Sequence, residues 1–385
     1  YTAQINRYYT IEFFREVKRV LNAGGIFSFA LNSSGSYISP ELGEYLRSVY
    51  LGLKEVFKDV LTIPGETIYF LASDKTSALT YDFNILMARA KTRGLDLKYV
   101  REYYLFSKLS PRILAYTKGV LLQKGQAKIN RDFKPSTYYY NMTFWAARLG
   151  EAVFKKMLKA VSFKKVLATV FAVCVLIILV SLIGIRRNRG FYKQASLMAL
   201  MATGFSAMAI QIIILFCFQI IYGYVFYKIG FLLTVSMAGL AIGSFCMTIL
   251  MRELKATFNI LMGSNLLFCI LSLGLPVSFF WLAASDKRIV SQLGAGLIFP
   301  LLSLITGLLA GAQFPLVNKI YLGDKQGQGR VAGLTYGIDL LGSCFGAYLS
   351  GIFLIPVLGI TGSCFVIAIM NFTVLTVLAI NRAGL

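Results

Sequence analysis

The chain has 385 residues, 57% of them hydrophobic and 15% charged, with a mean hydropathy of +0.68 and a formal net charge of +22. Ordinary globular domains are about a quarter charged, so much of this chain is built for lipid. The complete absence of histidine excludes Ser-His-Asp triads, His-based zinc sites and HExxH chemistry.

The basic excess does not mark a nucleic-acid binder. Lys and Arg flank apolar runs, as in FKKMLKAVSFKK and IRRNRGFYK, where anionic lipid headgroups are the natural partner. The segment NRYYTIEFFREVKRVL places Tyr9, Phe13, Val17, Val20 and Leu21 at helical spacing, and NAGG ends that predicted helix. IFSFAL, residues 26–31, is a short β-rich run. A second helix is predicted from Ser39 as N-cap, with Pro40 at the first helical position and Glu41 in the first turn. VLTIPG and TIYFLAS then read as two short strands around a turn. Helix, strand, helix, strand, strand suits the closing half of a doubly wound α/β sheet. Residues 80–160 read as mainly helical, and the composition shifts near Lys164–Lys165, so the expected domains are 1–160, α/β, and 161–385, membrane all-α.

Beyond Lys165 about seven apolar runs are long enough for a hydrocarbon core of about 30 Å: 166–185, 197–221, 229–250, 258–282, 293–321, 331–355 and 358–381. Cys174, Cys217, Cys246, Cys269, Cys344 and Cys364 all fall within them without CxxC spacing and read as small hydrophobes, with no metal site. Glycines recur at four-residue spacing (Gly239/Gly243, Gly307/Gly311, Gly333/Gly337, Gly342/Gly346), which predicts close helix packing. Asp339 falls near mid-membrane, so a partner or a water-filled cavity is expected for it, with Lys319, Asn318 and Gln313 the nearest partner candidates. Pro300 and Pro315 are expected to interrupt the preceding span, and Gln211 and Gln219 add polar points.

Two stretches carry a family resemblance. YTAQINRYYTIEFFREVKRVLNAGGIFSFALNSS resembles the later part of the spermidine synthase (polyamine aminopropyltransferase) signature, and NRDFKPSTYYYN is similar to the Tyr-rich region near that family's C-terminus. With LFCFQIIYGYVFYKIG, GLLAGAQFPLVNKIYLGD and GLTYGIDLLGSCFGAYLSG, the layout resembles the membrane-fused spermidine synthase-like proteins. The resemblance implies the C-terminal half of a Rossmann-like (class I methyltransferase-type) sheet followed by the membrane helices. It also implies transfer of an aminopropyl group from decarboxylated S-adenosylmethionine to an amine, with an aspartate as general base.

In this numbering that aspartate and the Gly-rich cofactor loop fall upstream of Tyr1. The full-length family member is therefore expected to bind the cofactor, and residues 1–385 alone are not. Substrate contacts are expected at Gln4, Tyr9, Glu66, Asp132, Tyr138 and Tyr139, with Asp132 and Tyr138–Tyr140 forming either a lid strand or loop or an aromatic belt at the membrane interface. Where the family carries a Gln and a Glu after Gly24-Gly25-Ile26, this chain has Ala30 and Asn32, and TIPGETIYF shortens another family segment, which puts putrescine as acceptor in question. The alternative is a membrane transporter or scaffold with a catalytically degenerate soluble domain, for which Asp339, Lys319, Gln313 and Gln211 are the intramembrane polar candidates. A transferase acting on a lipid-phase acceptor is a weaker third. The expected partners are the lipid bilayer, a polyamine or other amine and a second copy of the chain. The expected location is the cell (inner) membrane with the soluble domain cytoplasmic, although the basic loops vote nearly equally for either orientation.

Overall fold

The structure, a computed structural model, describes residues 5–95, 97, 109–123, 125, 127–150, 163–187, 191–223, 226–252, 257–285, 288–322 and 328–382. The chain divides into two compact units, Tyr1–Ala160 and Val161–Leu385.

In the first unit a 3₁₀ turn, Ile5–Tyr9, leads into helix α1, Ile11–Val20. Thr10 caps α1 by accepting from the Phe13 N–H at 3.3 Å, so Tyr9 lies outside the helix rather than within it as its spacing predicts. Strand β1 is Ile26–Asn32, helix α2 is Pro40–Val56 capped by Ser39, and β2 (Asp59–Ile63) and β3 (Thr67–Ser73) form a hairpin. Helices α3 (Phe83–Thr92), α4 (Pro111–Leu122) and α5 (Ser136–Arg148) complete the unit.

The three strands lie in the order β1-β3-β2, and both pairings are antiparallel, with Phe29 opposite Phe70 and Leu61 opposite Leu71. β1 and β2 therefore point the same way, with α2 as the crossover between them. The core lies between this sheet and α1 and α2: Phe14, Leu46, Val49, Leu53, Ile68 and Phe70 are fully buried. Phe29 stacks between Phe14 and Phe70, with ring centroids at 6.0 and 5.3 Å. Beyond β1, no further strand pairs with its outer edge among the described residues. That edge carries no Lys or Pro to blunt it, and Ile26 is 47% exposed.

The second unit is a bundle of apolar helices: α6 (Phe163–Arg187), α7 (Phe191–Tyr222), α8 (Phe226–Leu250), α9 (Thr257–Ala284), α10 (Arg288–Leu293), α11 (Phe299–Leu322), α12 (Gln328–Leu349) and α13 (Gly359–Arg382). π-Helical turns join α10 to α11 (Gly294–Ile298) and precede α13 (Ser350–Leu358). Six helical stretches among the described residues are long and apolar enough to cross a membrane. By length and composition this is a membrane protein.

The sixth stretch, Gly329–Arg382, has 54 residues, roughly 80 Å if straight, far more than one crossing needs. It reverses at Gly359, whose φ of 76° lies in the left-handed region that glycine tolerates. Contacts on α7 show the reversal. Gly342 and Gly346 meet Met201 and Phe205 in the same direction along the two helices, whereas Asn371 bonds Ser206 and Asn381 of the same helix bonds Ser181 of α6. Pro315 lies inside α11 without ending it. Pro300 follows a widened turn, where the bond it cannot make is absorbed.

Glycine spacing sets the closest approaches. α8 and α11 run parallel with Gly239 and Gly243 facing Gly307 and Gly311. A Cβ at Gly239 would fall 2.5 Å from Leu304 O, and at Gly243, Gly307 or Gly311 it would collide with the carbonyls of Leu308, Ser236 or Leu240. Gly342 and Gly346 do the same against α7. Gly333 and Gly337 face open space, so their spacing has no packing partner among the described residues.

Candidate functional site

A cavity of about 250 Å³ opens at the C-terminal end of β1. Ala30, Leu31 and Asn32 form its floor, Tyr9 and Ile5 one wall, Leu42 and Tyr45 of α2 another, and Asn141, Phe144 and Trp145 of α5 the third. One buried residue holds these elements in register. The Asn130 side-chain amide donates to Asn6 Oδ1 and Tyr9 O, both at 3.1 Å, its Oδ1 accepts from the Thr137 N–H at 3.1 Å, and its backbone carbonyl accepts from Ile11. The turn bearing Tyr9 and the first turn of α5 are thus clamped to the same side chain.

Burial raises the Tyr9 phenol, and burial followed by the neighbouring Tyr9 raises Tyr45 strongly, so both stay neutral at physiological pH. Among the lining residues there is no carboxylate and no cation. Aromatic faces with two neutral amides, Asn32 and Asn141, suit a small organic cation held by cation–π attraction and hydrogen bonds, not an ion pair. A larger hollow of about 840 Å³ lies over the other face of the sheet, lined by Ile26, Leu61, Leu71, Tyr81, Arg89 and Arg93, with basic groups at its rim.

Of the residues singled out in the sequence, Tyr9 is in the cavity, beside Ala30 and Asn32. Gln4 lies outside the described residues. Glu66 is exposed on the β2–β3 turn, where its carbonyl accepts from the Ser33 N–H at 2.7 Å. Asp132 is half-buried against the start of α1: its N–H donates to Glu12 Oε2 at 3.1 Å, and its carboxyl is pushed up to about 6. Burial is the main cause; a hydrogen bond from Thr10 and the charge of Arg7 oppose it, and Glu12 adds to it. Asp132 Oδ1 has no partner among the described residues.

Tyr138–Tyr140 form neither a lid strand nor a loop, because they lie within helix α5. Tyr140 turns inward and its hydroxyl accepts from the Lys128 N–H at 3.0 Å, while Tyr138 and Tyr139 are half-buried on the same helix outside the cavity lining. Once Pro135 has started the helix, the three rings spread around it instead of lining one face. Asn141 and Trp145, which do reach the cavity, are one turn apart in the same run. That i, i+4 relation is the signal in the sequence that could have found them.

In the bundle, Asp339 lies over Gly204 of α7: a Cβ there would fall 2.8 Å from Asp339 Oδ1 and 3.0 Å from Ser343 Oγ. The expected partners are engaged elsewhere. Lys319 Nζ donates to Met251 O at 2.7 Å, Asn318 Oδ1 accepts from Thr335 at 2.6 Å, and Gln313 meets Thr203. Gln211 is buried with both ends of its amide unpaired among the described residues. All six cysteines are free thiols, and no cluster of three metal-ligating side chains occurs among the described residues. Compared with known protein families, characterised proteins and solved structures, the chain matches none.

Proposed function

We propose that the first unit forms the acceptor side of an aminopropyltransferase-like site, carried by a protein anchored in the cell membrane with this unit on the cytoplasmic side, where amines and S-adenosylmethionine derivatives are supplied. One observation carries the reading: the cavity closes around Tyr9, Ala30 and Asn32, the positions at which the resemblance places contacts to the amine. The sheet supports it. Two strands pointing the same way, joined by a crossover helix and separated by an antiparallel third, are how a class I methyltransferase-type sheet ends, and the open edge of β1 is where such a sheet would continue. The reversal at Gly359 divides the sixth apolar stretch in two, which supports seven crossings among the described residues.

The chemistry of the cavity narrows the acceptor. With Ala30 and Asn32 in place of the family's Gln and Glu, no carboxylate grips a second ammonium, so the site favours an amine with one cationic end lying among Tyr9, Phe144 and Trp145. The donor, decarboxylated S-adenosylmethionine, and the base that deprotonates the amine are not assigned to residues of this cavity, whose lining holds no carboxylate.

Equilibrium binding of spermidine, putrescine and a monoamine to the detergent-solubilised chain tests the reading, with and without decarboxylated S-adenosylmethionine. The expected result is amine binding that weakens about tenfold in Trp145→Leu, the loss of one good cation–π contact. Absence of amine binding under both conditions, or binding unchanged in both Trp145→Leu and Tyr9→Leu, overturns it. The transporter reading is favoured by a different observation, the unpaired amides buried within the bundle.

A further inference from the structure

Four helices of the bundle bring polar side chains to one depth. Asn371 Nδ2 of α13 donates to Ser206 Oγ of α7 at 2.7 Å, and Gln313 of α11 meets Thr203, one turn earlier on α7. Cys269 Sγ bonds Ala368 O at 3.0 Å, and Leu261, Val317, Val374 and Ala199 share one apolar cluster. With α9 antiparallel to both α11 and α13, this register puts Asn265 level with Gln313 and Asn371. All three are fully buried.

Their hydrogen bonds leave acceptors over. Asn265 Nδ2 donates to Leu261 O at 2.9 Å and Asn371 Nδ2 to Ile367 O at 2.8 Å, which fixes each amide with its oxygen free, and neither Oδ1 has a partner among the described residues. Thr203 Oγ1 lies within reach of both Ala199 O and Gln313 Oε1, yet a hydroxyl has one proton. Ser206 resolves the choice by example: it donates to Ala202 O and accepts from an amide nitrogen. A half-turn of the Gln313 amide gives Thr203 the same arrangement and pairs the otherwise unpartnered Nε2. The amide oxygen is then free as well.

Two buried carbonyl oxygens without donors, joined by a third once the Gln313 amide is turned, require a positive or proton-donating occupant. Asp339, the one carboxylate among the described residues of the second unit, stands at the same depth across α7, against Gly204. We propose that Asn265, Gln313 and Asn371 form a site for a largely dehydrated monovalent cation of the sodium class, with Asp339 as its counter-charge. Neutral oxygen ligands replace the hydration shell, as in membrane proteins that bind alkali ions at helix interiors. Thr203 lies ten residues beyond Lys193 along α7, about 15 Å from that end of the bundle. A second level of unpaired polar atoms, Gln211 and the hydroxyls of Ser303 and Ser350, continues inward along α7, α11 and the turn before α13. The proposal does not depend on the reading of the soluble unit.

The test is thermal unfolding of the full chain in detergent, titrated with sodium, potassium or choline chloride at constant ionic strength. Sodium is expected to raise the melting temperature saturably and choline not at all. Asn371→Ala should shift the sodium midpoint about tenfold, one ligand's worth of affinity, and Asp339→Asn should shift it in the same direction. Equal responses to sodium and choline, meaning that the amides hold only water, overturn the proposal. If Asn371→Ala does not fold, Asn265→Ala replaces it, and an unchanged midpoint in the folded variant is equally decisive.

Discussion

The two units solve packing in opposite ways. The first fills its interior with large rings: Phe14, Phe29 and Phe70 stack in sequence across the sheet, and water drives their burial. The second has no such drive, because lipid is as apolar as leucine. It removes side chains instead, so that α8 and α11 touch backbone to backbone at four glycines. The same amino acids therefore carry opposite meanings. An exposed phenylalanine such as Phe245, 67% exposed, is at home facing lipid, and a buried amide is the costly group there.

Adding bulk to the glycine seam should do the greatest damage. Gly311→Leu forces the Leu240 carbonyl away and should cost about 3 kcal/mol or more, read as loss of a monodisperse species in detergent. Gly337→Leu, in open space, should stay within about 0.5 kcal/mol. In the first unit the reverse substitution is the severe one: Phe70→Ala, leaving a cavity between Phe29 and the helices, should cost about 3–5 kcal/mol in chemical denaturation. Trp145 can report this once Trp281, the other tryptophan, is replaced by Phe.

Asp132 should give a smaller, pH-dependent effect. Burial lifts its folded pKa to about 6, above the ordinary aspartate value of about 3.9, so the folded state holds the proton more tightly. This contribution is fully present below about pH 4 and is lost as pH rises through 6, a swing of about 3 kcal/mol. Asp132→Asn should flatten that slope and stabilise the unit at neutral pH. Removing the α1 cap with Thr10→Ala should cost about 1 kcal/mol. Breaking the exposed Lys18–Asp74 pair, 2.8 Å apart, with Asp74→Asn should change stability by less than the error of the measurement.

What could be read from the sequence was what short-range spacing encodes. Ser39-Pro40 announced α2, the apolar runs marked the helices of the bundle, and Gly239/Gly243 declared a close approach without saying to what. The tyrosine run was harder, because three adjacent aromatics fit a strand, a loop or a helix equally well. Asn130, which ties the first turn of the helix at Thr137 to the distant Asn6 and Tyr9, is part of what fixes it. Asn265 and Asn371 went unread for a related reason. Each is a single amide in an apolar run, and they acquire meaning only when the register of four helices sets them at one depth.

The seam between α8 and α11 also constrains biogenesis. These helices point the same way through the bilayer and are separated in the chain by α9, so their union must wait until α9 has been threaded and α11 follows it out of the translocation machinery. Until then, the notched flank of α8 faces acyl chains that cannot fill it. A nascent chain stalled before Phe299 would carry a preformed socket for another helix, and the quality-control proteases of the membrane would meet it in that form.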